Sequence, residues 1–506
     1  MDRSFVASTC LACTFLVFHG ACGDDVAGSA SATMGASNTS ATTAAPTTGG
    51  TGSATGEAPT TSVGGSDSAS DATTHNTTGD PTTSTSTSTT STATTSTTAD
   101  DPSTSTTSTS TGGVVETTTD ASTSSTTGDT TGGGPKLDMG GSQCEIKCGN
   151  TDWSYVWIAN SGEHTISKID TRTMTEEGRY RTRPDHLGNP SRTSVSIDGK
   201  AVAVANRSGG LTKIWAREEF CEDKNGNGVI DTSTGKFDVR PFAEDECIAW
   251  YTAFPAAISQ RPVAWTSGVY NEQTCEYEDQ KIWTASANGN GGIWPCDGSP
   301  GIFVYRVNGD TGVVEDTLHL PDVPCGGTLG PYGAAVDSNN DLWMYIWSAS
   351  RILHVEYDTL NYELIQGGSY GITVDKQGRV WVDSGRRYDP VTKQWAQQIG
   401  NQPGNGGSGV AEDLQGRIWK ATPGGVGWVD SNTMLVGDTV LLPNPNLARG
   451  IGVDVDGYIW AVILGGTQAF RIDPDTYEIA EYNGLNQPYT YSDMAGGQIN
   501  QVICPQ

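Results

Sequence analysis

One loop of the sequence has the residue types and the spacing of a calcium-binding loop. Oxygen-bearing side chains stand at its positions 1, 3, 5 and 9, with glycine at 6 and a backbone carbonyl at 7, as in an EF-hand loop. The predicted ligands are Asp223, Asn225, Asn227, Val229 and Asp231. Position 12 is Thr234 instead of a bidentate glutamate, so the last ligand is absent or comes from Asp238 or the acidic run 244–246. The loop predicts a weak, structural calcium site, and a metal-free Asn-Gly turn is the alternative.

Charged side chains that follow the strands of two repeats form a candidate ligand face. They are Asp383, Arg386, Arg387 and Lys420. Catalysis by proton transfer needs an acid and a base that both reach the reacting atoms, and histidine serves most often. The histidines of the folded region are scattered, and none follows the tryptophan strand of a regular repeat: His164, His186, His319 and His354. We therefore expect binding rather than catalysis, and an ordinary solvated loop is the alternative interpretation of the charged residues.

A strand motif that is repeated four times must position these side chains. In each copy a tryptophan follows an aspartate by six residues, and the aspartates are 38, 38 and 41 residues apart. The pairs are Asp337 and Trp343, Asp375 and Trp381, Asp413 and Trp419, and Asp454 and Trp460. A period of about 40 residues made of short strands and tight turns is typical of a β-propeller. We interpret the aspartates as turn residues and the tryptophans as packing between blades, rather than as a ligand cage.

The rest of the folded region predicts three less regular blades. Strand patterns within residues 155–170, 194–206 and 262–307 complete an all-β propeller of four-stranded blades, with seven blades favoured and six possible. The first blade lacks its inner strand, and we expect residues 496–503 to supply it. Such pairing of N- and C-terminal strands closes the ring and leaves no open sheet edge. The propeller domain is predicted to span residues 144–506, with an insertion around 207–260.

The N-terminal third predicts export and a tether. Residues 1–21 are interpreted as a lipoprotein signal peptide, and Cys22 is the predicted lipidation site. An ordinary cleaved signal, which gives a secreted or periplasmic protein, is the alternative. Residues 22–143 consist mainly of Ser, Thr, Gly, Ala and Asp, so they lack the apolar surface that offsets the entropy of ordering. We predict a disordered linker that joins the propeller to the outer membrane or the cell surface, with the lipid as the only membrane contact.

The cysteines of the folded region are candidates for disulfides. Eight remain beyond the signal peptide and the lipid site: Cys144, Cys148, Cys221, Cys247, Cys275, Cys296, Cys325 and Cys504. An even number of cysteines in an exported chain favours disulfides, and no histidine pair at zinc-finger spacing accompanies them. Sequence proximity and closure of the ring suggest the pairings Cys221–Cys247, Cys275–Cys296, and Cys504 with Cys144 or Cys148, which leaves Cys325 with the remaining one.

The regular copies resemble the repeats of the virginiamycin B (streptogramin) lyase family and its NHL-like relatives. The shared features are Gly-Ile-x-x-Asp-x-x-Gly-x-Ile/Val-Trp and a later Arg-Ile-Asp-Pro-x-Thr, which here occupies residues 471–476. The resemblance covers residues 155–504 and implies the propeller fold, because scaffold residues carry it. For an active lyase it also implies histidine and glutamate side chains that act with magnesium on one face to open a lactone by elimination. The N-terminal layout resembles that of myxobacterial surface lipoproteins.

Net charge and the predicted tether restrict the choice of partner. A formal net charge of −29 argues against nucleic acid and against anionic membranes as partners. The leading interpretation is a cell-surface lipoprotein whose propeller binds a surface protein, a glycan or a small molecule without chemistry. A streptogramin-lyase-like or hydrolytic enzyme is the first alternative, and a structural envelope protein is the second.

Overall fold

The computed structural model is an all-β propeller of seven blades, and it describes residues 152–288, 301–323, 330–444, 446–491 and 493–503. Each blade is an antiparallel sheet whose strands follow one another outward from the central axis. The prediction of an all-β propeller with seven blades is confirmed. The predicted signal peptide, the lipidation site Cys22 and the linker 22–143 lie outside the described residues.

Blades 1 to 3 are the less regular part of the ring. Blade 1 contains β1 (Tyr155–Asn160), β2 (Thr165–Asp170) and β3 (Thr175–Arg181). Blade 2 contains β4 (Pro190–Val195), β5 (Ala201–Asn206), β6 (Leu211–Trp215) and β7 (Ile248–Thr252). In blade 3, β8 (Ala257–Ile258) and β9 (Val263–Trp265) share the inner position. A separate hairpin of β10 (Val269–Asn271) and β11 (Glu276–Glu278) precedes the outer strands of blade 3, which are β12 (Lys281–Asn288), β13 (Ile302–Asn308) and β14 (Val314–Leu320).

Blades 4 to 7 are the four regular copies of the repeat. Blade 4 contains β15 (Pro331–Val336), β16 (Leu342–Ile346), β17 (Arg351–Val355) and β18 (Tyr362–Gln366). Blade 5 contains β19 (Ile372–Val374), β20 (Val380–Val382), β21 (Arg386–Asp389) and β22 (Gln394–Gln397). Blade 6 contains β23 (Val410–Glu412), β24 (Arg417–Thr422), β25 (Gly425–Asp430) and β26 (Val436–Leu441). Blade 7 contains β27 (Ala448–Val453), β28 (Ile459–Ile463), β29 (Gln468–Ile472) and β30 (Ile479–Asn483).

The described helices are short. Two are 3-10 helices, Glu218–Phe220 and Trp347–Ala349, and the third is the α-helix α1, Gly497–Ile503. Within the described residues, no helix combines the length and the apolar character that crossing a membrane requires.

One carboxylate in each regular blade joins the turn between the two inner strands to the tryptophan of the second strand. In blade 5, Asp375 Oδ1 accepts the backbone N–H groups of Gln377 (3.0 Å) and Arg379 (2.9 Å). Its Oδ2 accepts the indole N–H of Trp381 at 2.8 Å. The same indole contact joins Trp343 to Asp337, Trp419 to Asp413 and Trp460 to Asp454, at 2.9, 2.8 and 2.8 Å. The spacing of six residues therefore brings the indole N–H back to the carboxylate across the hairpin.

The repeated tryptophans also pack between blades, as the sequence predicts. Trp343 of blade 4 lies in one apolar cluster with Ile372 and Val374 of blade 5. Trp419 of blade 6 lies in another with Ile451 of blade 7. The four tryptophans of the repeated motif are at most 2% exposed. Each tryptophan thus fills the gap between its own sheet and the next one.

The C-terminal segment closes the ring at blade 1. Trp157 N donates to Met494 O at 2.9 Å, and Tyr489 N donates to Ala159 O at 3.2 Å. Residues 488–491 and 493–494 therefore take the inner position beside β1, which completes the first blade. The predicted closure of the ring by the two ends of the chain is confirmed.

The residues that were predicted to form the closing strand are not the ones that form it. The prediction of a strand at 496–503 is wrong, because this segment forms α1. Ile499 and Val502 are buried at a helical spacing of three, which the strand interpretation overlooked. Asp493, which lies four residues before the helix begins, accepts the N–H of Gln498 at 3.4 Å and so gives one backbone donor of the first turn an acceptor.

Helix α1 lies across the end of the channel at which the inner strands finish. Gln498 Nε2 donates to Val336 O at the end of β15, at 3.0 Å. Gln501 Nε2 donates to Glu412 O at the end of β23, at 2.8 Å. Because these two strands belong to blades 4 and 6, the helix contacts the inner rim on both sides of blade 5.

The long connection between β6 and β7 is held by a disulfide. Cys221 and Cys247 are bonded, with their Cα atoms 4.7 Å apart, so this predicted pairing is confirmed. Cys275 is also disulfide-bonded. Its predicted pairing with Cys296 stays a prediction, because Cys296 lies outside the described residues. The same applies to Cys144, Cys148, Cys325 and Cys504.

Two tryptophan substitutions test the carboxylate–indole contact. Trp460→Phe removes the indole donor from the buried Asp454, whereas after Trp419→Phe the Nε of Arg417 still donates to Asp413 Oδ2, at 2.5 Å. Both substitutions reduce the size of the aromatic side chain by the same amount. We expect Trp460→Phe to lower the free energy of unfolding by about 1–3 kcal/mol more than Trp419→Phe, because a buried acceptor loses its donor. Urea unfolding of both variants measures the difference, and equal losses would contradict the assigned role.

Candidate functional site

Large polar and aromatic residues begin the inner strands at one face of the ring. We call this the upper face; the inner strands end at the lower face, where the Asp–Trp turns and α1 lie. The residues that lie within the first three positions of these strands, or just before them, are Arg192, Arg261, Tyr332, Tyr370, Arg449 and Tyr491. Because the inner strands surround the channel, these side chains meet there with Arg207 and Tyr489. We call these eight residues the channel cluster.

Tyrosine hydroxyls and guanidinium groups contact one another in the channel cluster. The hydroxyl of Tyr489 forms hydrogen bonds with the hydroxyls of Tyr332 and Tyr370. The Cζ atoms of Arg192 and Arg261 each lie 4.9 Å from the centre of the Tyr332 ring. At this distance the negative face of an aromatic ring attracts a cation. The tyrosine rings therefore compensate part of the arginine charge.

Burial and mutual repulsion shift the pKa values of the channel cluster. Burial lowers the pKa of Arg192 to about 9 and that of Arg207 to about 10, and the charge of Arg261 lowers both further. Burial raises the pKa of the Tyr489 hydroxyl, but the charges of Arg261 and Arg192 outweigh it and hold that pKa below its ordinary value. The protonated forms of Arg192 and Arg207 are thus less stable than usual, and the hydroxyl of Tyr489 ionises more readily. The effect of Arg261 on the other arginines and the lowered pKa of Tyr489 both indicate a positive potential in the channel, which favours a negative charge.

A cleft of about 500 Å³ opens on the upper face beside the channel cluster. Its walls are Tyr345 and Trp347 of blade 4, the turn 383–384 of blade 5, and the connection 398–407 that leads to blade 6. Tyr370 lines the cleft and also belongs to the channel cluster. The volume lies within the range of small-molecule sites, about 300–1,000 Å³.

One residue of the predicted ligand face lines this cleft, and a second lies beneath it. Asp383 lines it, accepts a hydrogen bond from the Ser369 hydroxyl, and accepts the Ser408 N–H at 3.1 Å. Burial raises the pKa of Asp383. Lys420 is 1% exposed, and its Nζ donates to Gln402 O at 2.8 Å, so it supports the cleft from below. Burial lowers the pKa of Lys420, and the nearby Asp383 opposes that shift.

The other two residues of the predicted ligand face make contacts within and between blades. The guanidinium of Arg386 lies 4.2 Å from the ring centre of Trp395 on the neighbouring strand. Arg387 Nη1 donates to Ser431 O of blade 6 at 2.6 Å. Neither arginine is among the residues that line the cleft. The structure therefore brings Asp383 and Lys420 together and leaves both arginines outside.

The channel cluster was missed at the level of the sequence, although a signal for it exists. In the four regular repeats, the residue before the glycine of the inner strand changes from copy to copy: Tyr332, Tyr370, Ser408 and Arg449. Neighbouring columns of the repeat hold small apolar residues. A column that holds large polar side chains instead, in strands that surround an axis, marks a set of residues that face one another across the channel.

The calcium-like loop has the wrapped conformation that its sequence predicts. Asp223 Oδ1 accepts the Gly226 N–H at 2.7 Å, and its Oδ2 accepts the Gly228 N–H at 2.8 Å. The side-chain amides of Asn225 and Asn227 donate to Asp231 Oδ2 at 2.9 and 2.8 Å. The side chains at positions 1, 3, 5 and 9 therefore converge. The amide N–H groups face Asp231 here, and the oxygen atoms of the same side chains are the ligand type that calcium prefers.

Glu246, rather than Asp238, approaches the calcium-like loop. Glu246 Oε1 accepts the Lys224 N–H at 2.8 Å, and Oε2 accepts the Asp231 N–H at 2.8 Å. Asp238 instead accepts a hydrogen bond from Thr234 at 2.9 Å. Among the acidic residues considered for the last ligand, Glu246 is therefore the one that is in place. Calcium binding itself stays a prediction.

A second group of potential metal ligands lies at the lower face. Asp337, Asp341 and His354 have ligand atoms within 4.8 Å of one another. The His354 Nε2 lies 3.1 Å from Asp341 Oδ2, and its ring stacks on Trp343 with centroids 4.0 Å apart. Asp341 Oδ1 accepts the Tyr357 N–H at 2.7 Å. These contacts belong to the turn and its hairpin, so we assign the group a structural role.

The fold and the cleft define the class of protein: a β-propeller with a ligand-sized cleft at one end of its channel. No protein-family model and no curated sequence matches the chain. Similar solved structures include streptogramin B lyase, with 15% identity over 62% of this chain and 89% of that chain and a TM-score of 0.44. Virginiamycin B lyase from Staphylococcus aureus has 16% identity over 47% and 75%, with a TM-score of 0.36. AztD from Citrobacter koseri has 11% identity over 68% and 99%, with a TM-score of 0.41.

These comparisons agree with the expected resemblance to the virginiamycin B lyases at the level of the propeller fold. Their identities and TM-scores are too low to carry any argument on activity, so function has to come from the site.

A calcium titration tests the loop. We expect calorimetry on the purified protein to show binding with a dissociation constant of about 0.1–1 mM, the range of extracellular calcium modules. Asp231→Ala should abolish it, because two amides and the Asp231 carboxylate then no longer converge. Asp238→Ala is the matched control and should bind calcium like the unsubstituted protein. Absence of calcium binding near millimolar concentrations would show that the loop is a metal-free turn.

Proposed function

We propose that the propeller is a non-catalytic binding module and that the upper-face cleft receives its ligand or partner protein. The lining of the cleft is the observation that carries the proposal. Trp347 is 37% exposed there beside Tyr345 and Tyr370, and the side-chain amides of Gln398 and Asn401 stand opposite. Exposed aromatic rings offer a large apolar contact, and amides fix the orientation of a bound group.

The ionisable groups at the cleft support binding over catalysis. Asp383 already accepts two hydrogen bonds, from Ser369 and from the backbone of Ser408. Lys420 donates to the Gln402 carbonyl beneath the surface. Both groups therefore shape the wall of the cleft, whereas a general acid or base needs a proton that points at the substrate.

The location of the propeller is part of the same proposal. The lipoprotein-type signal, Cys22 and the Ser/Thr-rich linker 22–143 support a domain held by lipid at the outer membrane or the cell surface. A domain on a flexible tether meets molecules in its surroundings, so its partner is a surface protein, a glycan or a small molecule. The net charge of −29 gives nucleic acid no electrostatic attraction.

Ligand capture by cleft variants tests the binding function. The mature protein is screened on glycan arrays and in pull-downs from envelope fractions, and the affinity for each captured ligand is measured. We expect Trp347→Ala to weaken that affinity at least about tenfold, because a central aromatic anchor carries much of a binding energy. Phe237→Ala is the matched control, because Phe237 is 94% exposed in the connection between β6 and β7. It should leave the affinity unchanged.

Two outcomes would overturn the binding function. Turnover of streptogramin B with magnesium present, with no ligand captured, would favour the enzyme alternative. Capture of no selective partner and no turnover in an activity screen would favour a structural envelope protein.

Labelling with a fatty-acid probe tests the anchor. We expect the full-length protein to be labelled in its native host, and Cys22→Ala to lose the label, because the thiol of Cys22 is the predicted lipid attachment. A Cys22→Ala protein that is still labelled would contradict lipidation at this residue, and an unlabelled native protein would favour a secreted one.

A further inference from the structure

Several arginine side chains that are largely buried in the blades pair with carboxylates. The side chain of Arg179 is 3% exposed and lies 2.8 Å from Glu163 and 2.7 Å from Glu176. Arg379 and Arg417 pair with the aspartates of their own repeats. Arg192 is 0% exposed and forms no ion pair with a carboxylate of the described residues. The channel thus holds a buried cation that the fold does not neutralise in its usual way.

Several buried donors in the channel have no acceptor among the residues that the structure describes. Arg192 Nη1 donates to Ser191 O at 2.7 Å, but its Nε and Nη2 have no hydrogen-bond partner among the described residues. The hydroxyl of Tyr491 also has no hydrogen-bond partner among the described residues. Buried donors without acceptors are rare in folded proteins, because each has given up its hydrogen bonds to water. A group rich in acceptor oxygens beside Arg192 would give its guanidinium the acceptors that it lacks.

Three guanidinium groups surround the ring of Tyr489. The Cζ atoms of Arg192, Arg261 and Arg207 lie 5.6, 5.7 and 4.9 Å from its centre. Arg207 is only partly buried, so it lies nearer the solvent than Arg192. Guanidinium groups form paired, charge-assisted hydrogen bonds to planar and tetrahedral oxyanions, which makes such a set a strong anion receptor.

We infer that the channel cluster binds an anionic group, a carboxylate, a sulfate or a phosphate, carried by the ligand of the upper-face cleft. The inference rests on the proposed binding function and names the chemical class of its ligand. Tyr370 connects the two regions, because it lines the cleft and its ring lies 4.6 Å from the Arg449 guanidinium. The chain has a net charge of −29 and as a whole repels anions, whereas the cationic channel attracts them. An anion is therefore expected to bind in the channel.

Tyr489 offers the competing source of negative charge. Its hydroxyl is hydrogen-bonded to Tyr332 and Tyr370 and faces Arg192 and Arg261. A tyrosinate here would balance the cluster without any ligand. The two sources differ in their spectra and in their response to added anions, so one set of measurements separates them.

An anion titration of the full-length chain tests the inference. Sodium phosphate, sodium sulfate and sodium acetate are each compared with sodium chloride at equal ionic strength, by intrinsic fluorescence and by the unfolding temperature. We expect a saturable change with at least one oxyanion that chloride does not produce. Arg192→Gln should weaken that binding at least about tenfold, because it removes a buried charged donor.

Two further variants keep the test decisive. Arg207→Gln, at a partly buried position, should weaken oxyanion binding by a smaller factor, and it replaces Arg192→Gln if that protein does not fold. Arg471→Gln is the control, because its guanidinium also lies over a tyrosine, Tyr458, at 4.5 Å but outside the channel cluster. It should bind the oxyanion like the unsubstituted protein. An equal loss in Arg471→Gln would overturn the inference.

The remaining outcomes separate this inference from the proposed function. Equal responses to chloride and to all three oxyanions, with a tyrosinate absorbance at neutral pH that Tyr489→Phe removes, would overturn the inference. If ligand capture still depended on Trp347 in that case, the proposed binding function would stand without an anion site. Saturable oxyanion binding in a protein that captures no ligand in any screen would support the anion site and remove the proposed function.

Discussion

The hydrogen bond between a repeat aspartate and the indole six residues later is the contact on which this propeller depends. In blade 5, one oxygen of Asp375 holds two backbone N–H groups of the turn, and the other holds Trp381. The carboxylate therefore fixes the turn and the rotamer of the tryptophan together. Since that tryptophan packs against the next blade, a local turn determines how two sheets meet. The same device acts in four successive blades, and it positions their inner strands around the axis.

The two faces of the propeller consequently differ in how freely their residues can be substituted. The lower face carries the Asp–Trp turns and α1, whose amides of Gln498 and Gln501 reach strands of two different blades. Substitutions there disturb packing between sheets. At the upper face, the first residue of the inner strand can change without loss of the turn, as Tyr332, Tyr370 and Arg449 show. The cleft and the channel cluster occupy the face that the scaffold leaves free, which is where loops on a rigid framework usually carry function.

The period of the repeat predicts the fold well, because each copy contains the sequence pattern of its strands, the aspartate of its turn and the tryptophan that packs against the next blade. It predicts the site poorly, since the channel cluster joins residues from six blades that meet only when the ring closes. Arg192 and Tyr491 pair across the closure point and lie far apart in sequence. The segment 496–503 was predicted wrongly because a short apolar alternation fits a strand as well as a helical turn, whereas Ile499 and Val502 are buried three residues apart, as a helix requires. Lys420 looked like a surface charge but is buried, because its stem lies under the connection to Gln402.

Several arginines of the blade hairpins have carboxylate partners, whereas Arg192 in the channel forms no ion pair with a carboxylate of the described residues, and this difference distinguishes the scaffold from the candidate site. Where arginine supports the blades, as Arg379 and Arg417 do, a repeat aspartate neutralises it within the same hairpin. In the channel, burial lowers the pKa of Arg192 to about 9, and Arg261 adds repulsion instead of compensation. A fold optimised only for stability would replace such a group by an apolar one, since uncompensated buried charge is destabilising. Local conflict of this kind persists where function requires it, and an anion that relieves it would couple ligand binding to the stability of the ring.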